Sequence, residues 1–147
     1  MARGLRADEV WVATTDADST VPPAWFVRHD EWARRGLDGV AGLVELSDAE
    51  SLSARARRRW RDLVQERGLD VGHPHVHGAN LGMRGGVWLG AGGFASLAVG
   101  EDHHLWDRAR ALGAVLLGTS DLIVRTAART TGRTPGGLAG LLADLER

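Results

Sequence analysis

Lysine is missing altogether from these 147 residues, and all 18 basic side chains are arginines. That absence excludes every chemistry needing a side-chain primary amine, including a Schiff base and the lysine of a phosphate-binding P-loop. Cysteine is missing too, which excludes disulfides, thiolate nucleophiles and cysteine-ligated zinc. No apolar run approaches the roughly 20 residues that cross a bilayer. Residues 1–9 lack the apolar core of a signal peptide, so the expected location is cytoplasmic. Excess charge is also lacking: the net charge is -1, which gives no general electrostatic attraction to nucleic acid or to an anionic membrane. What remains, 44% hydrophobic and 25% charged residues, is the balance of a soluble globular protein. The length suffices for one core, and no repeat or low-complexity linker divides it. Residues 1–147 therefore read as a single domain.

Strand and helix patterns alternate along the chain, which predicts an α/β fold. Residues 10–13 form a short continuous apolar run, as in a strand buried on both faces. The polar, short-sided run 14–19 follows as a loop at that strand's carboxyl end, where open α/β sheets bind ligands. Pro22 and Pro23 are expected to open a helix carrying Trp25, Phe26, Trp32 and Ala33 as far as Gly36. A second strand is predicted over 39–46. Ser51 or Ser53 then caps a helix whose apolar stripe is Leu52, Ala56, Trp60, Leu63 and Val64, closed by Gly68. Five arginines between Arg55 and Arg61 read as the solvated side of that helix rather than as a nucleic-acid surface. Residues 79–84 continue as strand into turn, and a short helix at 87–89 leads into the glycine-rich loop 90–93. Residues 114–117 and 122–124 read as two short strands joined by 118–121, and Leu138, Leu141, Leu142 and Leu145 make a final helix.

Three groups of residues carry chemistry. Glu101 and Asp102 sit where a glycine-ended loop gives way to a helical pattern marked by Leu105, Ala109 and Leu112. The positive end of a helix dipole favours carboxylates there, which suits either a fixed base facing a cleft or a plain capping pair. Asp16 and Asp18 form a second carboxylate site after the first strand. The alternating His73, His75 and His77, extended around Pro74, suit metal ligands on one side of a strand or polar cleft lining. No third ligand group stands at a recognisable spacing from them.

The order of these features resembles a family. Asp16-Ala17-Asp18-Ser19 followed by Val21-Pro22-Pro23-x-Trp25 resembles the DxD segment of family 2 glycosyltransferases of the GT-A fold. Gly78-x-Asn80-Leu81-x-x-Arg84, then Trp88, Gly92-Gly93-Phe94 and Glu101-Asp102-x-x-Leu105-x-x-Arg108, resembles the acceptor-side half of the same family. Gly132-Arg133-Thr134-Pro135-Gly136-Gly137 looks like the tail of some bacterial members. The resemblance implies a partial GT-A, Rossmann-like mixed sheet with flanking helices. It implies metal-dependent, inverting transfer of a sugar from a nucleotide-sugar donor to an acceptor hydroxyl. Asp18 would ligate Mg²⁺ or Mn²⁺ and Asp16 would contact the nucleotide, since such hard cations take carboxylate oxygens and keep several waters. Asp102 would be the base, supported by Glu101. Arg129 and Arg133 would hold diphosphate oxygens or stay solvated, and His77, Asn80 and Gly93 would lie on the acceptor side.

The chain departs from the family pattern in two ways. Some relatives complete the metal site with a late histidine, and no histidine follows His104. Family members also begin with a nucleotide-binding half, roughly two strand–helix units, before the DxD strand, whereas Met1 here falls a few residues before it. A truncated domain is the expectation, with the strand at 10–13 bared along one edge and self-association through that edge. The competing expectations are a non-catalytic remnant that serves as an interaction module, and a hydrolase built on a histidine-bound metal at His73, His75 and His77.

Overall fold

The computed structural model describes residues 4–66, 75–130 and 137–147. Gly68, His73, Pro74 and Arg133, named above, lie outside the described residues. The protein is a mixed α/β structure with one curled five-stranded sheet and, among the described residues, five helices. The strands are β1 (Trp11–Thr14), β2 (Ser19–Thr20), β3 (Gly39–Leu46), β4 (Leu81–Arg84) and β5 (Leu116–Thr126). The helices are α1 (Trp25–Arg34), α2 (Ala54–Glu66), α3 (Gly85–Gly90), α4 (Glu101–Ala111) and α5 (Leu138–Glu146). Across the sheet the order is β1-β4-β3-β5-β2. β4 runs antiparallel to both β1 and β3, whereas β3 and β5 are parallel.

Position in the sheet explains the burial of each strand. β3 has neighbours on both sides, and its residues 39–44 are all buried. Among the described residues β1 pairs only with β4, so it is an edge strand there, and all four of its residues are half-buried. The expectation of a strand buried on both faces is corrected accordingly. One face of the sheet packs Leu81 and Met83 against Leu105, Trp106 and Ala109 of α4. The other packs Val40, Leu122 and Val124 against Trp25 and Trp32 of α1. A third cluster joins Leu52 and Ala56 to Leu142, tying α2 to α5.

Local chemistry sets the helix ends. Pro22 and Pro23 lie in a turn before α1, not in its first turn: the Trp25 amide donates to the Pro22 carbonyl at 2.9 Å, and the helix opens at Trp25. At its far end Gly36 takes φ +86°, and the amides of Leu37 and Gly36 return to the carbonyls of Trp32 and Ala33. This left-handed closure satisfies carbonyls that the helix itself leaves open. α4 ends the same way at Gly113, with φ +81°. Of the two serines considered for capping α2, Ser53 does so, its Oγ accepting from the Ala56 amide at 3.1 Å.

The two short strands expected over 114–124 are one strand. The β3–β5 register steps from Ala41 opposite Gly118 to Leu43 opposite Ile123, so residues 119–122 form an irregularity inside β5 rather than a connection. Asn80 fills the gap. It is fully buried, and its Nδ2 donates to the carbonyls of Leu43 at 2.8 Å and Leu122 at 2.9 Å. Its Oδ1 accepts from the indole Nε1 of Trp25 at 2.9 Å. Gly42 is what makes room, since a Cβ there would collide with Asn80 Nδ2 and the Leu122 carbonyl.

His29, on α1, gives the fold a pH dependence. It is 2% exposed, and its Nδ1 accepts from Trp11 Nε1 at 3.2 Å. Burial pushes its pKa down to about 4. Charging the ring would place a second proton on Nδ1, where the indole already donates. In the unfolded chain the imidazole titrates near its ordinary value of about 6.5. Between those values the unfolded state binds a proton that the folded state refuses, so stability falls as pH is lowered. It is fully present above about pH 6.5 and declines toward pH 4 by a total on the order of 3 kcal/mol. Urea unfolding at pH 7 and pH 4.5 should show this loss, and His29→Gln should flatten it. An equally steep profile in the variant would place the proton uptake elsewhere.

Candidate functional site

The loop after β1 carries Asp16 and Asp18, and the first turn of α4 carries Glu101 and Asp102. Far apart in sequence, the four line one cleft of about 830 Å³. Its other walls come from the carboxyl end of β3, the segment around His75–Gly78, the end of β5 with Arg129, and the facing sides of α2 and α5.

A single residue, Gly78, links the end of β1 to the start of α4. Thr14 ends β1, and its hydroxyl donates to the Gly78 carbonyl at 2.7 Å. The Gly78 amide in turn donates to Asp102 Oδ2 at 3.0 Å. Asp102 Oδ1 accepts from the His103 amide at 2.7 Å. Two N–H donors therefore fix the orientation of this carboxylate, and each oxygen keeps a lone pair for another partner. Gly100, at φ +79°, turns the chain into α4 and places Glu101 and Asp102 at its start. Both readings of the Glu101–Asp102 pair thus have a structural counterpart: Asp102 does satisfy helix-end and loop amides, and it also faces the cleft.

The electrostatics of Asp16 register the convergence. Partial burial in the cleft raises its pKa above the usual aspartate value, and the nearby charges of Asp18, Asp102 and Glu101 raise it further. Like charges gathered this closely disfavour ionisation, so the cleft holds an excess of negative charge that a cation would relieve. Asp18 is partly balanced, since its Oδ2 lies 3.5 Å from Arg129 Nε.

The remaining expected residues divide. His77 lines the cleft, with its ring stacked on that of His75 at a centroid distance of 5.8 Å and an interplanar angle of 11°. Among the described residues no group of three or more His, Asp or Glu side chains is arranged to hold a metal ion. The histidine-bound metal of the hydrolase reading has no such group there, and His73 lies outside the described residues. Asn80 is not on the cleft: the hydrogen bonds to Leu43, Leu122 and Trp25 occupy its amide inside the core. Gly93 is not on it either. At φ +62° it closes the turn after α3, and its carbonyl accepts from Arg108 Nη2 at 2.6 Å. Arg84, part of the same motif, is a structural hub that pairs with Asp38 at 3.1 Å and donates to the carbonyls of Ala33 and Leu37.

Several residues of the site carried no sequence signal of that role. Thr14 read as the start of a polar loop. Trp60, Leu63, Leu138 and Leu141 fitted helical stripes and read as core, yet they are half-buried and line the cleft. No helix of the described residues is long and apolar enough to cross a membrane. The chain matches no protein-family model and no curated protein.

Proposed function

We propose that the chain carries the metal-binding and acceptor-binding side of an inverting glycosyltransferase of the GT-A type, acting on a nucleotide-sugar donor. The observation that carries this reading is the meeting of Asp16 and Asp18 with Glu101 and Asp102 in one cleft. Among the described residues no three carboxylates converge on one ion, so the cation would rest on Asp18 alone, with water and diphosphate oxygens filling its shell, as hard divalent cations accept. Asp18, with Asp16 beside it, would hold Mg²⁺ or Mn²⁺. When bound, the ion neutralises charge developing on the leaving diphosphate. Arg129 stands next to Asp18 and would meet diphosphate oxygens. Asp102, held by two amides, takes the proton of the acceptor hydroxyl. The acceptor oxygen bonds to the anomeric carbon as the bond to the diphosphate oxygen breaks, and one such in-line displacement inverts that carbon.

Calorimetry with Mn²⁺ and a nucleoside diphosphate tests the donor side. Wild type should bind the nucleotide only with the metal present, and Asp18→Ala should lose that binding. Affinity should weaken as pH falls through the raised titration of Asp16, since protons then compete with the metal. Equal metal-dependent binding by both proteins would remove Asp18 from the role.

β1 ends the sheet, with β4 as its one strand partner among the described residues. An unpaired strand edge is a template for another chain. Self-association should therefore grow with concentration in light scattering. A constant monomer mass up to high concentration would count against that edge as a contact.

A further inference from the structure

We infer that the cleft takes an acceptor with an apolar portion beside its reacting hydroxyl. The inference rests on the sugar-transfer reading for the word acceptor, and on the cleft alone for the chemistry of the ligand. The cleft is divided. Its charged groups stand on the loop after β1, at the start of α4 and at Arg129. Among the described residues, the lining side chains from α2 and α5 are Trp60, Leu63, Leu138, Ala139 and Leu141, whose one polar atom is the Trp60 indole nitrogen. Leu43 and Val44 of β3, each 8% exposed, complete this wall at its base.

The wall is not loose surface. Trp60 and Leu138 pack on the cluster of Leu52, Ala56 and Leu142, so the apolar face is backed by core. A ligand hydroxylated all round would turn hydroxyls to that face, where the Trp60 indole N–H is the one polar group among the described side chains. An alkyl or aromatic group attached next to the hydroxyl would cover it while the hydroxyl reaches Asp102. At about 830 Å³ the cleft lies toward the upper end of small-ligand pockets, roughly 300–1,000 Å³, leaving room for such a group beside a sugar. Each buried methylene strengthens binding roughly fourfold.

Octyl glucoside below its micellar concentration and methyl glucoside are the probes, titrated into the full chain by calorimetry and ligand-observed NMR. The octyl compound should bind at least about tenfold more tightly, as expected from burying even two methylenes. Leu63→Gln combined with Leu141→Gln should erase that preference, whereas Leu89→Gln, at an exposed leucine away from the cleft, should leave it intact. Intermolecular NOEs from the octyl chain to the Leu63 and Leu141 methyls in wild type give a readout independent of how well the variant folds. Equal binding of the two glucosides, or NOEs only to other residues, would overturn the inference. An octyl preference without metal-dependent nucleotide binding would keep the amphiphile site and sink the transfer reading. Nucleotide binding without the preference would do the reverse, leaving a wholly polar acceptor.

Discussion

Asp102→Asn is expected to lower sugar transfer by about 10²–10⁴-fold, the usual contribution of a general base, while metal-dependent nucleotide binding stays close to wild type. The substitution preserves shape and still offers one oxygen to the Gly78 amide, but it cannot accept a proton from the acceptor. The competing role is structural, because Asp102 accepts the amides of Gly78 and His103. An asparagine turned to serve Gly78 presents its NH₂ group to the His103 amide. Some stability should therefore be lost, about 0.5–2 kcal/mol by analogy with removing a helix cap. The two roles separate when turnover and unfolding are measured on the same variant. Transfer within tenfold of wild type, together with that modest destabilisation, would make Asp102 a cap and nothing more.

The second large effect is on stability. Asn80→Ala should cost roughly 3–6 kcal/mol, because it strands three buried groups at about 1–3 kcal/mol each, partly offset by relaxation. These are the indole N–H of Trp25 and the carbonyls of Leu43 and Leu122. Against a typical total of about 5–15 kcal/mol, the variant should be largely unfolded at modest urea concentrations. Asn80→Asp should be no better, since a carboxylate cannot donate to either carbonyl. Urea titrations followed by tryptophan fluorescence read the effect directly. A loss below about 1 kcal/mol would mean that water replaces the amide inside the irregularity of β5.

That same residue shows where sequence reading stops. The 79–84 segment read as strand into turn; the strand is there, but a turn at Gly78–Asn80 precedes it and β4 runs to Arg84. The role of Asn80 was not legible. The family resemblance put the residue on the acceptor side, and the tertiary offset between β3 and β5 makes it a core hydrogen-bonding group instead. The break at 118–121 was visible from its polar, small residues, but local composition does not distinguish a connection from a bulge within one strand. The helix end at Gly36 was readable, because glycine there serves a left-handed backbone. For the site, Asp16, Asp18, Glu101 and Asp102 announced themselves as carboxylates beside predicted element ends. Their meeting did not, since it depends on a long-range bond from Thr14 to Gly78. The apolar wall was hidden for a related reason: Trp60 and Leu141 satisfy a helical stripe equally well facing core or facing cleft.

The turn of residues 78–80 is clamped from three directions: by Thr14 at one carbonyl, by Asp102 at one amide and by Asn80 rooted in the sheet. The spacing between the end of β1, which leads into the Asp16–Asp18 loop, and Asp102 is therefore settled during folding, and a ligand arriving in the cleft finds it already set. Little conformational entropy on this side remains to be surrendered at binding, so contacts with the ligand can appear more fully as affinity. The same stiffness restricts adaptation, because a substrate that needed the two carboxylate sites further apart would have to break a bond belonging to the fold itself.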